Sequence, residues 1–235
     1  MGRNINGCIF MGGSMLIHDL EQGSEAWRRI RLGVPTTSRF ADIITPTGRK
    51  TSGRAWDGYL SELIGQLISG VVEDQPSTYA MRRGNELEPV AVDYYAQYKQ
   101  VTPRAIGFVT TKDGRIGCSP DRLVDRDGLL EVKCPMMKQH TENLISGEID
   151  PKYIPQVQGQ LLLTKRRWCD WMSYHPDMPP SIVRCEVDID YQEALKEYLN
   201  DFLVEMDEII EMLTNRGIEF AIKVKPREVG VVEGV

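Results

Sequence analysis

Nothing in these 235 residues approaches the roughly 18 to 20 consecutive apolar positions that a membrane-spanning helix needs. The first residues also lack the basic, apolar and small-residue series of a secretion signal. The chain therefore reads as soluble and cytoplasmic. Cysteine is sparse: Cys8, Cys118, Cys134, Cys169 and Cys185 are odd in number, form no C-x-x-C pair and sit mostly in strand-like text. That excludes a disulfide framework and argues against zinc or an iron–sulfur cluster. No internal repeat and no low-complexity block is present. Positive charge is not in excess either, since the formal net charge is −6, which argues against a uniformly basic nucleic-acid-binding surface. Local clusters remain at Arg28, Arg29 and Arg31, at Arg82 and Arg83, and at Lys165, Arg166 and Arg167, while acids crowd the stretch from Glu193 to Glu211.

What is present is the patterning of one α/β domain over residues 15–235, preceded by a Gly-rich, unpatterned stretch at 1–14 that reads as a flexible leader or expression remnant. Ser24 caps a short helix to Leu32, and a second short helix starts at Thr37 or Ser38. Thr45 to Arg54 has almost no apolar residue and reads as a loop. Helical spacing runs from Trp56 to Ile68 and from Tyr79 to Tyr98, the latter entered through Gly84 so that Pro89 falls near its first turn. Asp113-Gly114 and Asp127-Gly128 cut the next segment into a three-stranded meander ending near Pro135. A helix at Tyr153 to Thr164, two strands and a long amphipathic helix from Tyr191 to Asn215, closed by Gly217, complete the pattern. Such an order predicts a sheet with helices on its faces.

The stretch GCSPDRLVDRDGLLEVKCP carries the chemistry. Glu131 and Lys133 are two apart on a strand and share a face, while Val132 points the other way. Whether Asp121 joins them depends on the turn. A two-residue loop at Asp127-Gly128 sets Asp121 opposite Cys134, on the other face. A three-residue loop ending at Gly128, with glycine left-handed, sets it opposite Lys133. Pro120 disfavours regular ladder pairing in either case. If the carboxylates converge, they suit Mg²⁺ or Mn²⁺, which bind through one or two acidic side chains and complete their shell with water and substrate phosphate. A neighbouring lysine can orient or activate the attacking water.

The wording of the stretch resembles the P-D…(D/E)-x-K nuclease signature, in the form S-P-D-x-L…L-E-x-K-C-P of the phage λ exonuclease (YqaJ-like viral recombinase) family. EQGSEAWRRIRLGVPTTSRF, RRGNELEP and PQVQGQLLLT are similar, in order, to three further motifs of that family. The resemblance implies a restriction-endonuclease-like core, a central mixed β-sheet flanked by helices. It implies metal binding by Asp121, Glu131, the Val132 carbonyl and Glu88, with Lys133 activating water and Gln156 and Gln158 beside the scissile strand. It assigns Trp27, Arg31 and Ser38 to the DNA end and its 5′-phosphate. The implied activity is Mg²⁺-dependent, processive 5′-to-3′ digestion of duplex DNA to mononucleotides by a ring-shaped homotrimer. The enzyme would be phage or prophage encoded and would work with a single-strand annealing protein in recombination. An endonuclease on the same fold, restriction-type or junction-resolving, is the alternative; a non-catalytic DNA-binding protein is a third reading, opposed by the intact Asp121, Glu131 and Lys133.

Overall fold

The computed structural model describes residues 15–73 and 78–224, and the leader at 1–14 lies outside them. Strand β1 (Leu16–His18) is followed by α1 (Glu25–Ile30), whose N-cap Ser24 accepts the Trp27 amide, and by a 3-10 helix at Thr37–Asp42. Helices α2 (Arg54–Ser69) and α3 (Tyr79–Lys99) lead into β2 (Phe108–Thr110) and β3 (Gly117–Cys118). Then come the hairpin β4 (Arg122–Val124) and β5 (Gly128–Lys133), α4 (Met137–Ser146), α5 (Ile154–Thr164), β6 (Trp168–Ser173), β7 (Ser181–Glu186) and α6 (Ile189–Asn215).

Two departures from the sequence reading matter. The meander is not one sheet: β2 pairs with β1 on one side and β3 on the other in a three-stranded antiparallel sheet, whereas β4 and β5 join β6 and β7 in a four-stranded one. The break falls at Ser119-Pro120, where proline can donate no ladder bond. Helix α3 begins at Tyr79, as its spacing predicts, but it is entered from Thr78 and not through Gly84, the Thr78 side chain capping it by accepting the Met81 amide. Pro89 thus lies in the interior of α3, not near its first turn. The ladder bond it forfeits is offset by packing of Ala91, Val92 and Tyr95 on the sheet.

The four-stranded sheet is mixed. β5 runs parallel to β6, a connection that needs a long crossover, here α4 and α5, while β4 and β7 pair antiparallel at the edges. Alternation then divides its faces. Val124, Leu130, Val132 and Met172 point toward α3, and Leu129, Cys169 and Trp171 toward Val157 and Leu161 of α5. On its other side α5 lies close against the 3-10 helix: a Cβ at Gly159 would come within 2.5 Å of the Phe40 ring, so only glycine permits this approach. A third cluster, from α2, the 3-10 helix and α6, holds Trp56, Tyr59, Leu199, Phe202 and Leu203. The acidic face of α6 is tied inward at intervals, with Lys50 on Asp201, Arg115 on Asp207 and the Trp56 indole N–H on Glu205.

Candidate active site

The turn between β4 and β5 decides what Asp121 can meet. Val124 pairs with Gly128, so the loop is the three residues Asp125, Arg126 and Asp127, and the left-handed residue is Asp125 (φ 46°). The odd loop length is the one that convergence requires. Its position differs by one residue from the loop ending at Gly128, because Asp tolerates the left-handed region and Gly128 is held in the ladder. Continuing the register places Asp121 opposite Glu131, where the sequence reading placed it opposite Lys133. All three side chains still share the face that looks toward α5.

Pro120 accounts for one half of the irregularity that makes the site, the missing donor to Val132. In the same register it stands opposite Val132, and the pair would exchange two ladder bonds. Proline has no N–H to offer the Val132 carbonyl. The Val132 N–H donates instead to Asp121 Oδ2 at 2.7 Å. Because N–H and C=O of one strand residue point to the same side, the Val132 carbonyl emerges beside the Asp121 carboxylate, with no ladder donor opposite it.

Glu131 is almost wholly buried and fully engaged. Its Oε1 accepts from Lys133 Nζ at 2.7 Å and from Gln156 Nε2 at 2.6 Å, and its Oε2 accepts from Gln160 Nε2 at 2.8 Å. Gln160 Oε1 is left buried without a partner, which shows that the carboxylate has won the one amide orientation available. Burial, and then the charge of Glu131, push the Asp121 carboxyl well above its ordinary range. Burial works against the Lys133 ammonium, but Glu131 and Asp121 more than offset it and hold the group above the usual lysine range. Lys133 therefore enters the site as a cation that can orient water.

The other expected residues divide. Gln156 reaches the site; Gln158 does not. Its Nε2 donates to the Glu186 carbonyl at 2.8 Å and its Oε1 accepts the Asp188 amide at 3.1 Å, clamping α5 to the start of α6. Helix geometry gives the reason, since positions 156 and 160 share a face and position 158 faces the opposite way. Gln160 is thus the residue the sequence reading missed, and the i, i+4 rule was its signal. Glu88, on α3, is held by Arg122 at 3.1 Å and acts on Asp121 through its charge. Trp27 donates from Nε1 to Ser119 Oγ at 2.9 Å, and the Arg31 guanidinium lies 4.0 Å over the Trp27 ring. Burial depresses the Arg31 guanidinium below its ordinary value, and no carboxylate among the described residues pairs with it. Ser38 is exposed 3.3 Å from Thr36 Oγ1, and Thr36 bridges to Gly117, two residues before Ser119.

The donor set fits a hard divalent cation. Two carboxylates face each other in a desolvated place, one with its proton affinity raised by the other, and a backbone carbonyl stands beside them. No group of three His, Cys, Asp or Glu side chains suited to a metal is assembled among the described residues, so water and substrate oxygens would complete the shell. Also among the described residues, no helix is long and apolar enough to cross a membrane.

A model of the YqaJ-like viral recombinase domain matches residues 26–167. The alkaline exonuclease LHK-Exo from Laribacter hongkongensis is 34% identical, with a TM-score of 0.76 and coverage of 83% of this chain and 98% of that one. LHK-Exo in complex with dAMP gives the same values. A phage-related exonuclease from Haemophilus somnus 129PT, 16% identical at a TM-score of 0.61, covers 77% of this chain and 96% of its own and shares the fold. No curated protein matches. With a family model spanning more than half of it and a solved relative a third identical over most of both, the chain belongs to the YqaJ-like viral recombinase (phage λ exonuclease) family of DNA exonucleases, on a PD-(D/E)xK nuclease fold.

Proposed function

We propose that the protein is a Mg²⁺-dependent exonuclease that digests the 5′-phosphorylated strand of duplex DNA from an end, releases mononucleotides and leaves 3′ single strands for recombination by annealing. The observation that supports it most is the pairing of two features at one place. The Asp121 and Glu131 carboxylates stand opposite each other on one face of the hairpin, near enough for the Glu131 charge to act on Asp121, beside the Val132 carbonyl whose ladder partner is a proline, and the half-buried Arg31 cation stands at Ser119, two residues from Asp121. The first suits a metal, the second a terminal phosphate.

Asp121, Glu131 and the Val132 carbonyl would hold the cation, with Glu88 adding charge from α3. Bound there, Mg²⁺ supplies charge stabilisation at the scissile phosphate and a more acidic water. Lys133, kept protonated and fixed by Glu131, orients the attacking water and faces the developing negative charge. Gln156 and Gln160 hold the Glu131 carboxylate so that little reorganisation is needed on reaction. A gel comparing linear duplex with 5′-phosphate, linear duplex with 5′-hydroxyl, and covalently closed circles tests the whole reading. Digestion restricted to linear DNA, faster with the phosphate, is expected; nicking of closed circles would instead establish an endonuclease.

The two glutamines that differ in their contacts should differ in their effects. Gln158→Ala is expected to lower the melting temperature, since it removes three hydrogen-bonded contacts at the α5–α6 junction, each worth about 1 kcal/mol, with turnover at lower temperature kept. Gln160→Ala is expected to lower turnover about tenfold by loosening a metal-ligating carboxylate. Matched melts and single-turnover rates separate the two, and the reverse pattern would return Gln158 to the active site.

Processive digestion by a protein of net charge −6 follows if the chain closes into a trimeric ring that encloses the duplex, since enclosure needs no exceptional affinity per subunit. The annealing protein would act on the single strand that emerges. Sedimentation is expected to find three chain masses; a monomer persisting at high concentration would remove this account.

A further inference from the structure

We infer that Gln22 is a positioning residue that sets the Asp121 carboxylate by taking the Pro120 carbonyl out of the β4–β5 ladder. This rests on the reading of Asp121 as a metal ligand.

In the register of the hairpin, the Val132 N–H would donate to the carbonyl of Pro120, as an unbroken antiparallel pair requires. Proline alone does not prevent that bond, because it removes a donor and leaves its acceptor. In the structure the Pro120 carbonyl accepts from Gln22 Nε2 at 3.0 Å, and the Val132 N–H goes to Asp121 Oδ2 at 2.7 Å. The second N–H of the same Gln22 amide donates to the Ile106 carbonyl at 2.9 Å. Both protons are used, so the amide is fixed by two backbone acceptors from different segments.

The place is built for this contact. Arg104 and Leu123 exchange two backbone bonds, 2.8 and 2.7 Å, which hold the segment before β2 along the outer edge of β4. The edge pairing goes no further, and the Gln22 side chain spans Ile106 and Pro120 where the ladder would have continued. Gln22 is delivered there by a close backbone approach: a Cβ at Gly107 would lie 2.3 Å from the His18 carbonyl and 2.5 Å from that of Leu20. Only glycine at 107 lets the Leu20–Gln22 segment lie so near. Pro120 thus removes one of the two ladder bonds to Val132 and Gln22 removes the other. The freed carbonyl and the redirected N–H are the two Val132 groups that flank Asp121.

Gln22→Met keeps the length of an exposed side chain and removes both donors. Calorimetry with Mn²⁺ alone, without DNA, is expected to show binding about tenfold weaker than in the unaltered protein, the scale of loss when the support of a metal ligand is removed. In a ¹⁵N spectrum the Val132 amide is expected to move as its acceptor changes from carboxylate to peptide carbonyl. Turnover should fall with the KM for DNA ends unchanged. A folded Gln22→Met protein with unaltered Mn²⁺ affinity and an unmoved Val132 amide overturns the inference, and so does a lower melting temperature with both of those intact. Gln22→Ala, measured alongside, provides the same readings if the methionine variant does not fold. Asp121→Asn separates the two levels of the argument. If it abolishes Mn²⁺ binding while the Gln22 variants bind normally, only the role of Gln22 fails; if it binds Mn²⁺ as well as the unaltered chain, the metal reading fails with it.

Discussion

Asp121→Asn and Glu131→Gln are each expected to abolish Mg²⁺-dependent digestion, by on the order of a thousandfold or more. A bound metal's stabilisation of transition-state charge is worth several kcal/mol, and about 1.4 kcal/mol is tenfold in rate. The substitutions keep shape, remove the charge and turn one carboxylate oxygen into an NH₂, which at Glu131 meets side-chain donors, so the fold is checked by a melt, and loss of activity with an intact fold points to ligation. Asp121→Asn carries a second expectation of opposite sign. Burial and Glu131 raise the folded-state pKa of Asp121, so the folded protein holds this proton more tightly than the unfolded chain does. That stability is present below the ordinary carboxylate pKa and is lost as pH rises through the interval up to the raised folded value. Above that interval the metal-free protein bears the repulsion between the two carboxylates, and there Asp121→Asn should melt higher than the unaltered chain, about 2 to 4 °C for each kcal/mol relieved. Mg²⁺ should raise the melting temperature of the unaltered chain and leave that of Asp121→Asn nearly unmoved. An inactive variant that melts lower, with or without metal, would mark Asp121 as a structural residue. Lys133→Ala should also be nearly inactive, yet still bind metal and DNA.

Where local chemistry dictates geometry, the sequence was readable. The i, i+2 spacing of Glu131 and Lys133 holds on any strand, and Ser24 caps α1 by accepting the Trp27 amide. The stripe from Leu195 to Met206 is buried as its spacing requires. What was not readable depended on partners distant in the chain. Helix α4 carries only His140 and Asn143 into the interior, too few for a periodic signal; both meet Ser173 on β6. The split of the meander is decided at Pro120, but which sheet each half joins is decided by β1 and β6, far away on either side. The position of the hairpin loop turned on Asp125 taking the left-handed conformation that Gly128 offered more obviously. Gln158 and Gln160 were separable by helix geometry; the motif spacing drew attention to the one whose side chain contacts Glu186 and Asp188. In the candidate site, the acids were legible as residues, and the backbone break beside them was legible only as a proline.

Arg31→Ala is expected to erase the preference for 5′-phosphorylated ends, slowing their digestion about tenfold to a hundredfold while barely changing that of 5′-hydroxyl ends. Charge-assisted hydrogen bonds contribute roughly 1.5 to 3 kcal/mol, which sets that range. The argument begins with what Arg31 lacks. Burial depresses its pKa, no acid among the described residues pairs with it, and its ring contacts are Trp27 at 4.0 Å and Phe108 at 5.5 Å. Its NH1 has only a long contact, 3.5 Å, to Ser119 Oγ, so most of its donors await an acceptor. A terminal phosphate carries more negative charge than an internal diester and presents oxygens that a planar guanidinium grips two at a time. Trp27 lies under that fork and is itself held by its bond to Ser119, so the proposed anion site would be joined to the proposed metal site through Ser119, Pro120 and Asp121. Each cut exposes a new 5′-phosphate, and pulling it into the same grip would advance the strand by one nucleotide. Arg31→Lys keeps the charge but not the fork or the stack, and is expected to recover only part of the preference. Trp27→Ala, which leaves the guanidinium unsupported, should weaken the preference in the same direction. Rates measured in parallel on the two kinds of end decide the matter: an equal loss on both would make Arg31 a general support of the fold or of DNA binding, and the advance along the strand would need another handle.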